Sequence, residues 1–146
     1  MAVMLCLSAR LSAQNPIRWK ASAEMKSAAK GVLSITAAVA PGWHLYGFDL
    51  PAGGPKSTSI SLDGSTGVKF TSSLKPSVKP VVKMDDMFGV ELSWWASDVV
   101  FTVPFEITDS ATAKVKAVIE FMGCDDRTCL PPKKIVLNVT VGSDKK

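Results

Sequence analysis

Three classes of function are disfavoured by what the sequence has little of. Its longest apolar runs stay well short of the roughly 18 residues that a membrane-spanning helix needs. The 17 basic and 13 acidic residues are scattered, so no basic stripe is available to neutralise nucleic-acid phosphates. The one histidine, His44, is distant from Cys124 and Cys129, and zinc sites use about four such ligands. We therefore expect no membrane span, no nucleic-acid partner and no metal.

What the chain does have is a repeated alternation of apolar and polar side chains, the period of a half-buried strand. Turns with Gly, Pro or Asp separate the alternating runs, which is typical of an antiparallel sandwich or barrel. The 146 residues suffice for one core, so we predict one all-β domain over residues 15–142 and a polar tail at 143–146. The first run would also suit a helix ending at Gly31. The runs are residues 17–25, 33–39, 90–94, 101–107, 114–124 and 135–141.

Prolines modify this pattern in two places. Pro104 lies inside a predicted strand, which indicates a sheet edge or a bulge. Pro76 and Pro80 force the lysine-rich segment 75–83 into an extended form. We interpret that segment as a solvated connection, with docking of an acidic partner as the alternative.

The first 14 residues resemble a secretory signal peptide, because a short apolar run ends in small residues. No Lys or Arg precedes that run and Arg10 lies within the stretch, so an ordinary N-terminal extension is the alternative. Removal of residues 1–14 would also remove Cys6 and leave Cys124 and Cys129. An exported chain with an even cysteine pair predicts a disulfide, in the periplasm or another oxidising compartment.

The segment FMGCDDRTCLPP, residues 121–132, holds that cysteine pair with four residues between its members. If the preceding strand continues regularly, Cys124 lies on its polar face. A tight loop at 125–128 then places both sulfurs at the rim of the sheet, within bonding reach. As a structural staple, so short a loop restrains the unfolded chain by only about 2 kcal/mol. The other interpretation is a disulfide that exchanges with other thiols, and the spacing alone does not decide between the two.

Three motifs together resemble the family of the N-terminal periplasmic domain of the thiol:disulfide interchange protein DsbD. They are GCDDRTCLPP at 123–132, PGWHLYGF at 41–48 and KMDDMFG at 83–89, and the likeness extends over about residues 17–141. The resemblance implies an immunoglobulin-like antiparallel β-sandwich that needs no cofactor. Its cysteine pair would relay electrons, with Cys129 as the nucleophile and Cys124 as the resolving thiol.

The same resemblance implies the partners. Thioredoxin-like proteins or domains would act on both sides of the relay, as an upstream donor and as downstream acceptors in disulfide isomerase or cytochrome c maturation pathways. The upstream donor would be associated with a transmembrane electron carrier. Two rival hypotheses stay open: a non-catalytic immunoglobulin-like interaction domain with a structural hairpin disulfide, and a metal-delivery protein that uses Cys and Met, encouraged only by Met84, Met87 and Met122.

A loop that covers the active site is also implied, and it corresponds here to MDDMFG. From the sequence alone, this stretch is more simply a hairpin turn. The chain departs from the best-known family member in having four rather than five residues between the cysteines, and in having Met at an aromatic position of the loop. The predicted cap and neighbouring residues are Asp85, Asp86, Met87, Phe88, His44 and Tyr46.

Overall fold

The computed structural model describes residues 15–86 and 89–141. Within these ranges the chain forms twelve strands and no helix, so no described segment is a helix that could cross a membrane. The all-β prediction is confirmed. The predicted signal peptide and polar tail, with Met87 and Phe88, lie outside the described residues. The strands are β1 (Ile17–Met25), β2 (Lys30–Val39), β3 (His44–Tyr46), β4 (Ser59–Ser61), β5 (Val68–Phe70), β6 (Lys75–Pro76), β7 (Val81–Asp85), β8 (Val90–Trp95), β9 (Val99–Ile107), β10 (Lys114–Phe121), β11 (Gly123–Cys124) and β12 (Lys133–Thr140).

These strands form three antiparallel sheets. The first has the order β1-β2-β9-β5, with β6 also paired to β9, and the second has the order β12-β10-β4. The third, which we call the site sheet, has the order β11-β3-β8-β7. β1 pairs with β2 without interruption, from Ile17 opposite Val39 to Met25 opposite Gly31. The strand predicted for the first run is therefore confirmed, and the alternative helix is wrong.

One hydrophobic core joins the sheets, and it follows the alternation seen in the sequence. On β2, Leu33 and Ile35 are fully buried, whereas Ser34 between them is partly exposed. On β10, Ala117 and its inward-facing neighbours belong to the same cluster. Leu45 of β3 and Trp95 of β8 extend the cluster to the site sheet. Burial of one face of each long strand is thus what brings the layers of the sandwich together.

Pro104 lies on β9, an internal strand, so the predicted sheet edge is wrong. Its register opposite Val32 of β2 continues without an inserted residue. On the other side, its carbonyl accepts a hydrogen bond from the Thr71 backbone N–H at 3.2 Å, between the end of β5 and the start of β6. Because the N and O atoms of one strand residue point to the same side, the missing N–H of Pro104 faces this gap between strands.

The lysine-rich segment 75–83 is extended, as its prolines predict, and it contains β6 and the start of β7. Its side chains are largely exposed. Val82 and the adjacent Met84 expose 58% and 62% of their surface. The Trp95 indole N–H donates to the Val78 carbonyl at 2.8 Å. This bond attaches the segment to the core beside the site sheet.

Candidate functional site

The chain changes sheets immediately before the first cysteine of the pair. β10 keeps its pairing with β12 to its last residue, and after Met122 the chain pairs with β3 instead. Gly123 lies opposite Leu45, and Cys124 lies opposite His44. The regular continuation assumed from the sequence is therefore wrong. Cys124 is buried, with only 2% of its surface exposed, rather than placed on a polar face.

Gly123 allows this change of sheet. A Cβ atom at this position would lie 2.7 Å from Cδ1 of Ile17, the far end of that side chain, so any larger residue would have to displace it. Leu45, opposite Gly123, is fully buried in that core. Since successive strand residues face opposite sides, Cys124 lies on the other face of the site sheet.

On that outer face, Cys124 belongs to a second and smaller apolar cluster. Tyr46 of β3 and Leu92 of β8 are buried with it. Half-buried apolar side chains from β8 and from the flanking loops surround these three residues. The first cysteine is therefore held inside packed side chains of the site sheet.

Cys124 and Cys129 form a disulfide with their Cα atoms 4.0 Å apart, so the predicted bonding reach is confirmed. Asp125 organises the loop between them, because its Oδ1 accepts hydrogen bonds from the backbone N–H groups of Arg127 at 2.9 Å and Thr128 at 2.7 Å. These bonds, first from Arg127 and then from Thr128, hold the pKa of the Asp125 carboxyl below its ordinary value. The loop is thus a tight turn closed by its own carboxylate.

The two cysteines differ sharply in accessibility. Cys129 is exposed, whereas Cys124 is buried. Cys124 does end the edge strand β11, as the predicted rim position requires, but only Cys129 is exposed there. A second protein can approach Cys129 directly, but it could reach Cys124 only after the small cluster had opened.

A cleft of about 260 Å³ lies over the disulfide. Three of the residues proposed from the sequence, His44, Tyr46 and Asp85, line this cleft together with both cysteines. The structure thus brings the motif at 41–48 and the end of β7 to the cysteine loop, although they are far apart in the sequence. These distant motifs form one site.

The other members of the predicted set do not line the described part of the cleft or are not described. Asp86 is exposed beside the cleft without lining it, and Met87 and Phe88 fall outside the described residues. Trp94 and Thr128 line the cleft and were not predicted as site residues. In the sequence Trp94 is only one apolar residue of the alternating run 90–94, and its register opposite Tyr46 is what places it at the site.

The cleft contains a pair of packed rings and a tyrosine that is affected by a nearby negative charge. The rings of His44 and Trp94 lie 5.2 Å apart, centroid to centroid, at an interplanar angle of 31°. Burial, and then the negative charge of Asp85, raise the pKa of the Tyr46 hydroxyl above its ordinary value. The cleft therefore combines an imidazole, a phenol that keeps its proton and several carboxylates around one disulfide.

Comparisons with known proteins agree with this geometry. A family model described as "Thiol:disulfide interchange protein DsbD, N-terminal" matches residues 9–140. Comparison with curated proteins found no match.

Among solved structures, the chain is similar to the N-terminal periplasmic domain of ScsB from Proteus mirabilis, with 20% identity, a TM-score of 0.60 and coverage of 86% of this chain. This chain spans about half, 47%, of that ScsB chain. It is also similar to the reduced DsbD N-terminal domain of Neisseria meningitidis, with 16% identity, a TM-score of 0.53 and 92% coverage of each chain. A third structure is a complex of the DsbD and PilB N-terminal domains from Neisseria meningitidis, with 14% identity, a TM-score of 0.53 and coverage of 90% of this chain and 88% of that chain. The predicted immunoglobulin-like sandwich is confirmed, and the chain belongs to the DsbD N-terminal domain family of thiol–disulfide interchange domains.

Proposed function

We propose that this chain is an exported thiol–disulfide exchange module, a protein-disulfide reductase that relays electrons through Cys124 and Cys129 to thioredoxin-like partners. The observation that carries the proposal is the unequal burial of the two cysteines within one disulfide. Exchange needs one sulfur that a partner can reach and a second one that acts only afterwards. Cys129 meets the first requirement, and Cys124 meets the second.

The reaction follows in two steps from the reduced pair. The Cys129 thiolate attacks one sulfur of the partner's disulfide, forming a mixed disulfide and releasing the partner's other sulfur as a thiolate. Cys124 then attacks the Cys129 sulfur, forming the intramolecular disulfide and releasing the partner's remaining sulfur. Two electrons have passed to the partner, and an upstream dithiol restores the reduced pair by the reverse sequence.

Several observations support partners and location of this kind. One similar structure holds a DsbD N-terminal domain in complex with the PilB N-terminal domain, which favours a protein as the acceptor. The related ScsB domain is described as periplasmic, which favours an exported location. We extend this to disulfide isomerase or cytochrome c maturation proteins as acceptors, and to a donor associated with a transmembrane electron carrier.

We further propose that residues 85–89 cover the site until a partner docks. This segment connects β7 to β8 as a hairpin turn, closed by the Gly89 N–H donating to the Asp85 carbonyl at 2.8 Å. Gly89 has a φ of 72°, a value that glycine adopts without strain. Asp85, the first residue of this segment, lines the cleft beside the sulfurs, which supports the proposal. The hairpin-turn interpretation and the cap are thus compatible.

The proposal is tested by trapping, with Cys6 replaced by Ser throughout. The probe is a thioredoxin that retains only its exposed cysteine, activated as a thionitrobenzoate mixed disulfide. Reduced Cys124→Ser should accumulate a stable conjugate through Cys129, whereas Cys129→Ser should form little, because its remaining thiol is buried. Equal trapping by both variants, or trapping only by Cys129→Ser, would contradict the assigned roles.

The rival with a structural disulfide has one observation in its favour, the tight hydrogen-bonded turn at 125–128. The reduction potential separates the two functions. A structural disulfide should lie below about −300 mV, whereas an exchange protein should lie between about −120 and −270 mV. The metal-delivery rival relies on Cys and Met, and within residues 15–86 and 89–141 no group of three His, Cys, Asp or Glu side chains adds ligands to such a site.

A further inference from the structure

His44 lies directly opposite the buried cysteine. In the antiparallel pairing of β3 with β11, His44 and Cys124 are register partners. Such partners face the same side of a sheet, with their Cβ atoms roughly 5 Å apart. Both side chains also line the same cleft. The imidazole is therefore within reach of the sulfur that acts second in the exchange.

We propose that His44 is a catalytic residue that accepts the proton of the Cys124 thiol when that thiol resolves the mixed disulfide. This inference rests on the proposed function and adds a residue role to it. The need follows from burial: a thiol must ionise to attack, and Cys124 has only 2% of its surface exposed, so water has little access to its proton.

The proton and the electron pair of this step can each be followed from donor to acceptor. The Cys124 S–H proton passes to the unprotonated ring nitrogen of His44, and the Cys124 sulfur attacks the Cys129 sulfur. The bond between Cys129 and the partner sulfur breaks, and the partner leaves as a thiolate with the electron pair. The imidazolium then gives its proton to that thiolate or to water. The pair ends oxidised, the partner ends reduced, and His44 is neutral again.

Other groups of the cleft are less suited to this role. The carboxylate of Asp125 already accepts two backbone hydrogen bonds, which lower its pKa and weaken it as a base. Tyr46 has a raised pKa, so its hydroxyl keeps its proton. Arg127 has no acceptor. Asp85 and Asp126 also line the cleft, but neither is the register partner of Cys124, as His44 is.

The surroundings of His44 suit a proton carrier. Its ring packs against that of Trp94, with the two centroids 5.2 Å apart, which restricts the orientation of the imidazole. The side chain is only partly buried, so a proton taken from the interior can leave to solvent.

The test separates the two chemical steps with a small probe. Reduced chain carrying Cys6→Ser is mixed with glutathione disulfide and quenched with acid at timed intervals, and mass spectrometry then counts the reduced, glutathionylated and disulfide forms. His44→Phe keeps a ring against Trp94 but has no base. We expect glutathionylation of Cys129 to proceed as in the wild type, whereas its resolution by Cys124 slows by about 10²-fold at neutral pH.

The pH profile and chemical rescue distinguish a proton acceptor from a structural role. In His44→Phe, the rate at which Cys124 resolves the mixed disulfide should fall by about tenfold per pH unit below the range where thiols ionise. Without a base, only the fraction of the thiol that is already ionised can react. The wild type should show a shallower decline over the same range, because His44 accepts the proton of Cys124 there. Added imidazole should restore resolution in His44→Ala, which leaves room for it, without altering the first step.

The possible results distinguish failure of the exchange function from failure of the role of His44. If the wild-type chain forms neither the glutathionylated nor the disulfide product, the proposed exchange function fails. If the wild type resolves but His44→Phe matches its rate and pH profile, only the role of His44 is overturned. A uniform slowing at every pH, without rescue by imidazole, would also overturn it and would assign His44 to packing.

Discussion

The unequal burial of the cysteine pair leads to a quantitative prediction about thiol reactivity. Two single-thiol proteins, Cys124→Ser and Cys129→Ser, are prepared with Cys6→Ser in both, so that each carries one cysteine of the pair. In the folded state, the thiol of Cys129 should react with iodoacetamide about 100-fold faster than that of Cys124, by the estimate that follows.

The magnitude follows from the cluster around the buried thiol. Cys124 is buried with Tyr46 and Leu92, so a reagent reaches its sulfur only after part of this cluster separates. Exposing a buried apolar side chain costs about 1.5–3 kcal/mol, and opening the cluster exposes at least one neighbour as well. Each factor of ten in rate corresponds to about 1.4 kcal/mol, so an opening free energy of about 3 kcal/mol slows the reaction about 100-fold.

The assay measures alkylation by mass spectrometry under native conditions and again in guanidinium chloride. The rates in denaturant give the intrinsic reactivity of each thiol, and the ratio of folded to unfolded rates isolates protection by the fold. Circular dichroism establishes that both variants are folded. Similar protection of the two thiols, or stronger protection of Cys129, would refute the assignment of Cys124 as the shielded partner.

Two further predictions concern the borders of the cleft. Replacing Met87 and Phe88 together by Ala should speed alkylation of the reduced pair without loss of fold, because apolar cover is removed; equal rates would mean that the segment is only a turn. Tyr46 is the only tyrosine of the chain, so absorbance at alkaline pH reports its ionisation alone. Its midpoint should lie above that of a free tyrosine, and Asp85→Asn should lower it only partly, because burial is the larger cause; an unchanged midpoint would contradict the contact with Asp85.

The sandwich could be predicted because its long strands each bury one face. β1, β2, β9, β10 and β12 run for eight or more residues, long enough for a period of two to be recognised. Short strands such as β3, β5 and β11 have only two or three residues, and no periodicity can be read in them. β7 was missed for another reason: most of its side chains are exposed, so no apolar face distinguishes it from a loop.

The cysteine loop was also predictable, whereas the inequality of its two cysteines was not. Alternation along β10 places Cys124 with the polar residues, and nothing in the local sequence indicates that the chain leaves β12 for β3 after Met122. At this point Gly123 packs against Ile17, a contact between distant parts of the chain. Such contacts are invisible to a local pattern.

The change of sheet at Met122 makes the two cysteines of this hairpin disulfide unequal in accessibility. Had β10 continued regularly, both sulfurs would have lain on the exposed rim, and either could have met a partner first. Pairing with β3 instead buries Cys124 and places His44 opposite it, while the loop returns Cys129 to the surface. In the proposed mechanism, the same two residues of β11 therefore decide which sulfur attacks first and which base is available for the second attack.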